Sequence, residues 1–303
     1  MVKTRGSGSR TVNRGMKLLE NMIKYCIYSG FLDGIPRPLS LLIVANTSRA
    51  KSSTVVMFDA LGVRILNDVT AFGLERLIKA MTDKERETTH HFIIPDLERI
   101  SGRGKTVKRE FLATMRILEE EGLTEKITGK IHLSLEKPFQ AGFICATTPE
   151  DLGDRRSIFR SLSWLNRRLI FTYEYSDQMM AKVLEFIEEE NHIAKKRVLI
   201  KREEKASVVL PRHYARKLTY YARFLGMRYD KFARGPPKDF PKRQGRESGI
   251  RPKENLMTLL KSIALYNGRT RVNEEDFDEF RRLWRYINFK FNYFKLDAHA
   301  EQK

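Results

Sequence analysis

The hydrophobic positions of this chain follow two alternating periods in its first half and a single period afterwards. Residues 16–28 place Leu18, Leu19, Met22, Ile23, Cys26 and Ile27 at helical spacing, and Gly30, Gly34 and Pro36 end that pattern. Residues 39–44 are then almost wholly leucine, isoleucine and valine, as in a strand covered on both faces. Similar short runs occur at 91–94 and 142–147, with a weaker one at 169–173, and helical patterns lie around them at 53–61, 72–81, 107–121 and 177–190. That alternation predicts a parallel sheet with helices on its faces. From about residue 191 the strand-like runs stop. Residues 210–225, 252–267 and 273–293 each repeat apolar positions at the helical period, while 233–249, with Gly235, Pro236, Pro237, Pro241 and Gly245, reads as a loop. The expected organisation is a flexible basic arm over residues 1–15, an α/β domain over 16–190 and a smaller helical domain over 191–303.

Composition narrows the class. With 303 residues, 41% hydrophobic and 31% charged, the chain is neither wholly disordered nor a collagen nor a disulfide-dense scaffold. Its two cysteines, Cys26 and Cys145, sit in apolar runs and suit a reducing compartment. No stretch reaches the ~18 apolar residues of a membrane span, so a soluble, cytoplasmic protein without a membrane partner is expected. Fifty-seven basic against 38 acidic residues give a net charge of +19, and the excess is concentrated. Residues 191–255 hold nineteen basic and six acidic side chains, interleaved with Tyr214, Tyr220, Tyr221, Phe224, Tyr229, Phe232 and Phe240. Such a stretch combines attraction for phosphates with surfaces on which bases stack, so nucleic acid, DNA above all, is the first partner to consider, and a basic protein that binds nothing in particular or one with an acidic protein partner is the alternative. For each aromatic taken singly, core packing is the competing role. His90 and His91 lack carboxylate or cysteine partners at ligand spacing, and no zinc site is expected.

Candidate chemistry begins in the turn after residues 39–44, which reads Ala45, Asn46, Thr47, Ser48, Arg49, Ala50, Lys51, Ser52, Ser53. A phosphate-binding loop needs small residues around a tight turn, a lysine for the β and γ phosphates and a hydroxyl for Mg2+. Lys51 and Ser52 occupy the last two places, and Ala45 and Ala50 stand where glycines are usual. A second block joins the run 91–94 to Pro95, Asp96, Leu97, Glu98, Arg99 and Ile100. A third, 142–150, is a buried-strand pattern ending in Thr147 and Thr148 before Pro149. The fourth, 161–170, places Arg167 and Arg168 between a leucine-containing segment and a strand. In the fifth, Arg251 and Pro252 open one helix, and Gly268, Arg269, Val272, Asn273, Glu274, Glu275 and Asp276 introduce the next. Pro252 pre-sets a first helical turn and Asn273 is a good cap with acids on the helix dipole, but Arg251 is a cation at a helix start, unfavourable unless phosphate is near.

In this order the five blocks resemble the AAA+ ATPases, particularly the branch containing MCM helicases and MoxR-like ATPases, over about residues 30–280. The resemblance implies a P-loop NTPase fold, an α/β parallel sheet sandwiched by helices and followed by an all-helical lid, with ATP and Mg2+ as cofactors. It assigns loop 45–53 and Lys51 to the phosphates, Ser52 and Asp96 to the metal, and Thr147 or Thr148 to the γ-phosphate. The second block aligns in two ways. One gives Pro95 the metal position and Asp96 that of the water-polarising acid; the other gives Asp96 to the metal and displaces Glu98 by one residue. Arg167, with Arg168 as the next candidate, takes the place of an arginine that reaches a neighbouring subunit's nucleotide, while Arg251 takes that of a lid arginine acting in cis. A trans arginine implies a homo-oligomer, a ring or filament. The implied activity is ATP hydrolysis by a helicase-like or remodelling motor on DNA. The missing glycines and the irregular second block point to the alternative, a weak or inactive relative serving as a DNA-binding scaffold or as a subunit of a mixed complex.

Overall fold

The four apolar runs become neighbouring strands of one sheet in the computed structural model, which describes residues 14–47, 51–101, 104–128, 131–153, 162–175, 178, 181, 198–200, 204–234 and 249–289. The strands are β1 (Ser40–Val44), β2 (Phe58–Ala60), β3 (Val63–Ile65), β4 (His91–Ile94), β5 (Leu123–Thr128), β6 (Ile131–Phe139), β7 (Gly142–Thr147), β8 (Arg168–Thr172) and β9 (Val198–Ile200). The helices are α1 (Arg14–Tyr28), α2 (Lys51–Val55), α3 (Ala71–Ala80), α4 (Asp83–Thr88), α5 (Glu98–Ser101), α6 (Lys105–Glu119), α7 (Pro149–Gly153), α8 (Leu162–Leu165), α9 (Arg212–Arg234), α10 (Ile250–Tyr266) and α11 (Glu274–Ile287). Among them no helix is long and apolar enough to cross a membrane.

The main sheet has the order β3-β4-β7-β1-β8, and each of its pairings is parallel. Every residue of β1, β4, β7 and β8 is buried, as strands covered on both faces require. Only the edge strand β3 is partly exposed. From β1 the chain travels to the far edge at β3, returns through β4 and β7, then passes beyond β1 to β8. The direction of winding therefore reverses at β1, and in open parallel sheets the crevice outside the carboxyl ends at such a reversal is where ligands collect. Register aligns Val44 with Thr147 and Thr172, so the ends of β1, β7 and β8 lie along one edge.

Helices cover both faces. On one, Cys26 of α1 lies 3.8 Å from His91, and Phe171 of β8 stacks on Tyr286 of α11 at 5.1 Å. On the other, α6 reaches β8 through Glu119 and Arg168, while Phe92 meets Phe139 of β6 at 6.1 Å. The C-terminal helices join the same continuous core. Tyr25 and Tyr28 of α1 meet Tyr266 of α10 edge-on at 5.3 and 5.1 Å, and Tyr221 of α9 meets Phe280 and Trp284 of α11 at 5.2 and 4.8 Å.

Several expectations need correcting. The helix expected over 53–61 stops at Val55, because Phe58–Ala60 instead pairs in parallel with Val198–Ile200. Consecutive β-branched residues, Val55 and Val56, weaken helix there, and Phe58 is wholly buried by the strand alternative. β9 also shows that strand structure does not end at 191. The third C-terminal helix ends at Ile287, not 293, since Phe289 adopts φ 51°, which a right-handed helix cannot continue. The β5–β6 hairpin adds a pair outside the expected alternation. Most of the expected 177–190 helix, the 233–249 loop and the 1–15 arm lie outside the described residues.

Candidate functional site

β1 runs into Ala45, which is buried and whose N–H donates to the carbonyl of Thr147 at 3.4 Å. Ser48, Arg49 and Ala50 lie outside the described residues. Lys51 opens α2 with its side chain only 8% exposed, and its Nζ donates to the carbonyls of Ala45 at 2.5 Å and Asn46 at 3.0 Å. The ammonium thus lies over the carbonyls of its own loop. Ser52 is exposed, and its Oγ donates to the carbonyl of Pro95 at 2.8 Å, tying the loop after β1 to the loop after β4. That second loop is tied in turn to β7, because the Leu97 N–H donates to the carbonyl of Ala146 at 2.9 Å. Ser53 is exposed on the same short helix.

Two carboxylates join these loops. Asp96 is half-buried, 3.8 Å from Arg99. Glu98 begins α5, and its side chain lies outside the described set. Asp151 of α7 was not among the expected residues. Burial raises its carboxyl above the ordinary range, with the charges of Asp96 and Glu150 adding to the rise and a Thr148 hydrogen bond opposing it. Its backbone N–H donates to Thr148 Oγ1 at 3.3 Å, so Thr148 caps α7. Of the threonine pair, Thr148 has a structural task, and Thr147, buried and in register with Val44, remains the candidate for a ligand. The Thr148-x-x-Asp151 spacing is that of a capping box, a signal in the sequence that could have drawn attention to this carboxylate.

Lys51, Ser52, Asp96, Thr147 and Asp151 therefore come from the loops after three adjacent strands, at the edge where the winding reverses. A lysine and a hydroxyl suit a phosphate chain, and hydroxyl and carboxylate oxygens suit a hard divalent cation. No cluster of three or more metal-ligating side chains forms among the described residues. A Mg2+ held by Ser52 and Asp96 would keep water and phosphate oxygens as most of its ligands, which is its usual habit.

Arg167 and Arg251 lie at the other end of the strands. Arg168 pairs in register with Ser40, the first residue of β1, and Arg167 immediately precedes it. Arg167 is 3% exposed and donates to Glu120 at 2.7 Å and to the carbonyl of Ser163. Arg251 reaches the same carboxylate at 2.9 Å. Burial first, and then the charge of Arg167, lowers the pKa of Arg251, with Glu120 opposing. Arg168 donates to both oxygens of Glu119 at 2.7 Å, and its guanidinium lies 3.6 Å from the centre of the Trp164 ring. Asn255 Nδ2, donating to the carbonyl of Asn166 at 3.2 Å, helps dock the start of α10 here. From Arg168 to Thr172 the strand rises roughly 13 Å, so Arg251, held on Glu120, stands towards the opposite end of the strands from Lys51.

No protein-family model matches the chain, and no curated protein matches it by sequence.

In the basic C-terminal stretch, Tyr214, Tyr229 and Phe232 are buried and Tyr221 and Phe224 partly so, whereas Tyr220 stands out in solvent. Phe240 lies outside the described residues.

Proposed function

We propose that the chain is an AAA+ type ATPase that binds ATP with Mg2+ among the loops after β1, β4 and β7 and acts on DNA as an oligomeric helicase-like or remodelling motor. The observation that carries this reading is the convergence of Lys51, Ser52, Asp96 and Thr147 on the carboxyl edge of a parallel sheet at its reversal point. Lys51 exchanges the carbonyls of Ala45 and Asn46 for phosphate oxygens, a stronger, charge-assisted interaction. Ser52 and Asp96 would hold the metal, which when bound would supply positive charge to neutralise the phosphates. Thr147 orients the terminal phosphate. Arg167 takes the trans role at a neighbouring subunit's nucleotide, which requires a homo-oligomeric ring or filament and the release of Arg167 from its buried pair with Glu120.

One contact favours the second reading, a weak or inactive relative acting as a DNA-binding scaffold or in a mixed complex: the Ser52 hydroxyl meets the main chain of Pro95 where a metal-binding acid would be required. Calorimetry with Mg2+ and a slowly hydrolysed ATP analogue, with steady-state turnover in the presence and absence of DNA, separates the two. The motor reading expects binding heat that is lost in Lys51→Ala, and turnover that falls about 100-fold in Asp96→Ala, within the range for loss of one electrostatic stabiliser of the transition state. Binding without turnover in the wild type leaves the scaffold, and no binding heat at all removes the nucleotide site.

A further inference from the structure

α9 carries a face that is largely exposed and on which little packs among the described residues. Its buried residues, Tyr214, Leu218, Ala222, Leu225, Tyr229 and Phe232, recur at helical spacing and pack against the other C-terminal helices and β8. On the opposite side, Arg212, Arg216, Tyr220, Arg223, Met227 and Lys231 are exposed, at spacings of three or four residues. They form one stripe roughly 28 Å long, at 1.5 Å rise per residue. Between Arg212 and Tyr229 the helix contains no acidic residue.

Two other cations of the helix are already engaged. Lys217 lies 4.0 Å from Glu274 and 4.9 Å from the centre of the Phe277 ring, and Arg228 donates to the carbonyl of Asn288 at 2.6 Å and covers Phe224 at 4.1 Å. Arg212, Arg216 and Arg223, by contrast, make no ion pair or hydrogen bond among the described residues. Between Arg216 and Arg223 stands Tyr220, at 74% the most exposed of the large hydrophobic side chains, with Met227 next along the stripe at 64%. A solvated basic face has no use for an exposed ring at its centre. A ring flanked along the helix by guanidiniums without an ion pair among the described residues provides stacking for one base and charge for the phosphates on either side. A duplex keeps its base faces stacked internally, so Tyr220 and Met227 select for an unpaired strand.

We infer that the exposed face of α9 is a track for single-stranded nucleic acid, with Arg212, Arg216 and Arg223 on phosphates and Tyr220 stacked on a base. Glu274 of α11, beside Lys217, closes one flank of the track to phosphates. This inference deepens the nucleic-acid part of the proposed function and does not depend on the ATP site.

Fluorescence anisotropy of a labelled oligothymidylate and of a duplex of equal length, titrated with salt, tests it in the full chain. Tyr220→Ala is expected to weaken single-strand binding about tenfold while leaving the salt dependence unchanged. The double variant Arg216→Glu/Arg223→Glu is expected to lessen the slope of log affinity against log salt by about 1.4, the value for two lost phosphate contacts on a single strand. The control Lys79→Glu/Lys84→Glu makes the same charge change on exposed positions of α3 and α4. Equal losses from the two doubles would mean that net charge alone attracts the strand, and would overturn the track. Unchanged single-strand binding by Tyr220→Ala, or the same loss on duplex, would overturn the stacking role. A wild-type chain that binds neither probe removes the nucleic-acid reading itself, a distinct result from variants that bind like the wild type.

Discussion

At the amino ends of the strands, Arg167 and Arg251 share Glu120, and Arg168 is clamped by both oxygens of Glu119 beneath Trp164. At the carboxyl ends, Lys51 lies on the carbonyls of Ala45 and Asn46, and Ser52 on the carbonyl of Pro95. Both regions are polar and partly buried, but their partners differ. A guanidinium on a buried carboxylate is held by opposite charge in a medium that screens little, so exchange requires another anion or a conformational change. A cation on neutral carbonyls gains energy when an anionic oxygen replaces them. The amino edge is therefore arranged to fix the C-terminal helices on the sheet, whereas under the proposed function the carboxyl edge exchanges ligands.

The largest effect should come from the amino edge. Arg168→Met leaves Glu119, itself about as buried, without its partner, and is expected to cost about 3–5 kcal/mol in urea unfolding. Combining it with Glu119→Leu removes both charges and should recover most of that loss, as apolar replacements of buried pairs often do. A single variant as stable as the wild type would mean that this edge is not fixed by its ion pairs.

The same edge should also respond to acid. His90 and His91 are buried at the start of β4 with their Nδ1 atoms 2.6 Å apart, so one donates to the other and both remain neutral. Burial lowers His90 well below the usual histidine value and lowers His91 to about 4, where the hydrogen bond with Leu39 partly opposes the shift. A histidine whose pKa falls on folding stabilises the fold fully above its unfolded value of about 6.5, and this contribution disappears as pH falls towards 4. His91 alone should account for about 3 kcal/mol across that interval. Urea midpoints between pH 7 and 5, above most carboxylate titration, should fall in the wild type and fall less steeply in His91→Gln, where His90 alone still resists protonation. A parallel decline in both proteins would show that other groups set the response.

How much of this was legible beforehand depends on what each residue has to do alone. The fully buried strands β1, β4, β7 and β8 declare themselves, because a strand covered on both faces is apolar through its middle, even where its ends carry paired polar groups such as Arg168. β2, β3 and β9 are three residues each, and β2 takes its identity from a partner near residue 199 that no local pattern reveals. The hairpin carried a signal, the alternation of Ile131, Leu133 and Leu135, but fell outside the helix–strand rhythm. At the carboxyl edge, Lys51 and Ser52 were readable from spacing, and Asp151 was not singled out because a capping acid looks like any helix start. The pairing of Arg167 with Glu120 joins residues 47 apart in the chain, so sequence could identify both charges without showing that they meet.

The smallest structural effect should be at the carboxyl edge, and for that reason it sharpens the comparison most. Ser52 is exposed and contributes one neutral hydrogen bond, to the Pro95 carbonyl, so Ser52→Ala should cost about 0.5–1 kcal/mol in urea unfolding. If this hydroxyl is a metal ligand, the same variant should lose the Mg2+-dependent part of the heat of nucleotide binding while its unfolding midpoint hardly moves. Arg168→Met should do the reverse, losing stability with no direct change at the loop of Lys51. A Ser52→Ala protein destabilised as strongly as Arg168→Met, with nucleotide binding indifferent to Mg2+ in both proteins, would assign the Ser52 hydroxyl to holding two loops together. The proposed separation of the sheet into a fixing edge and an exchanging edge would then fail.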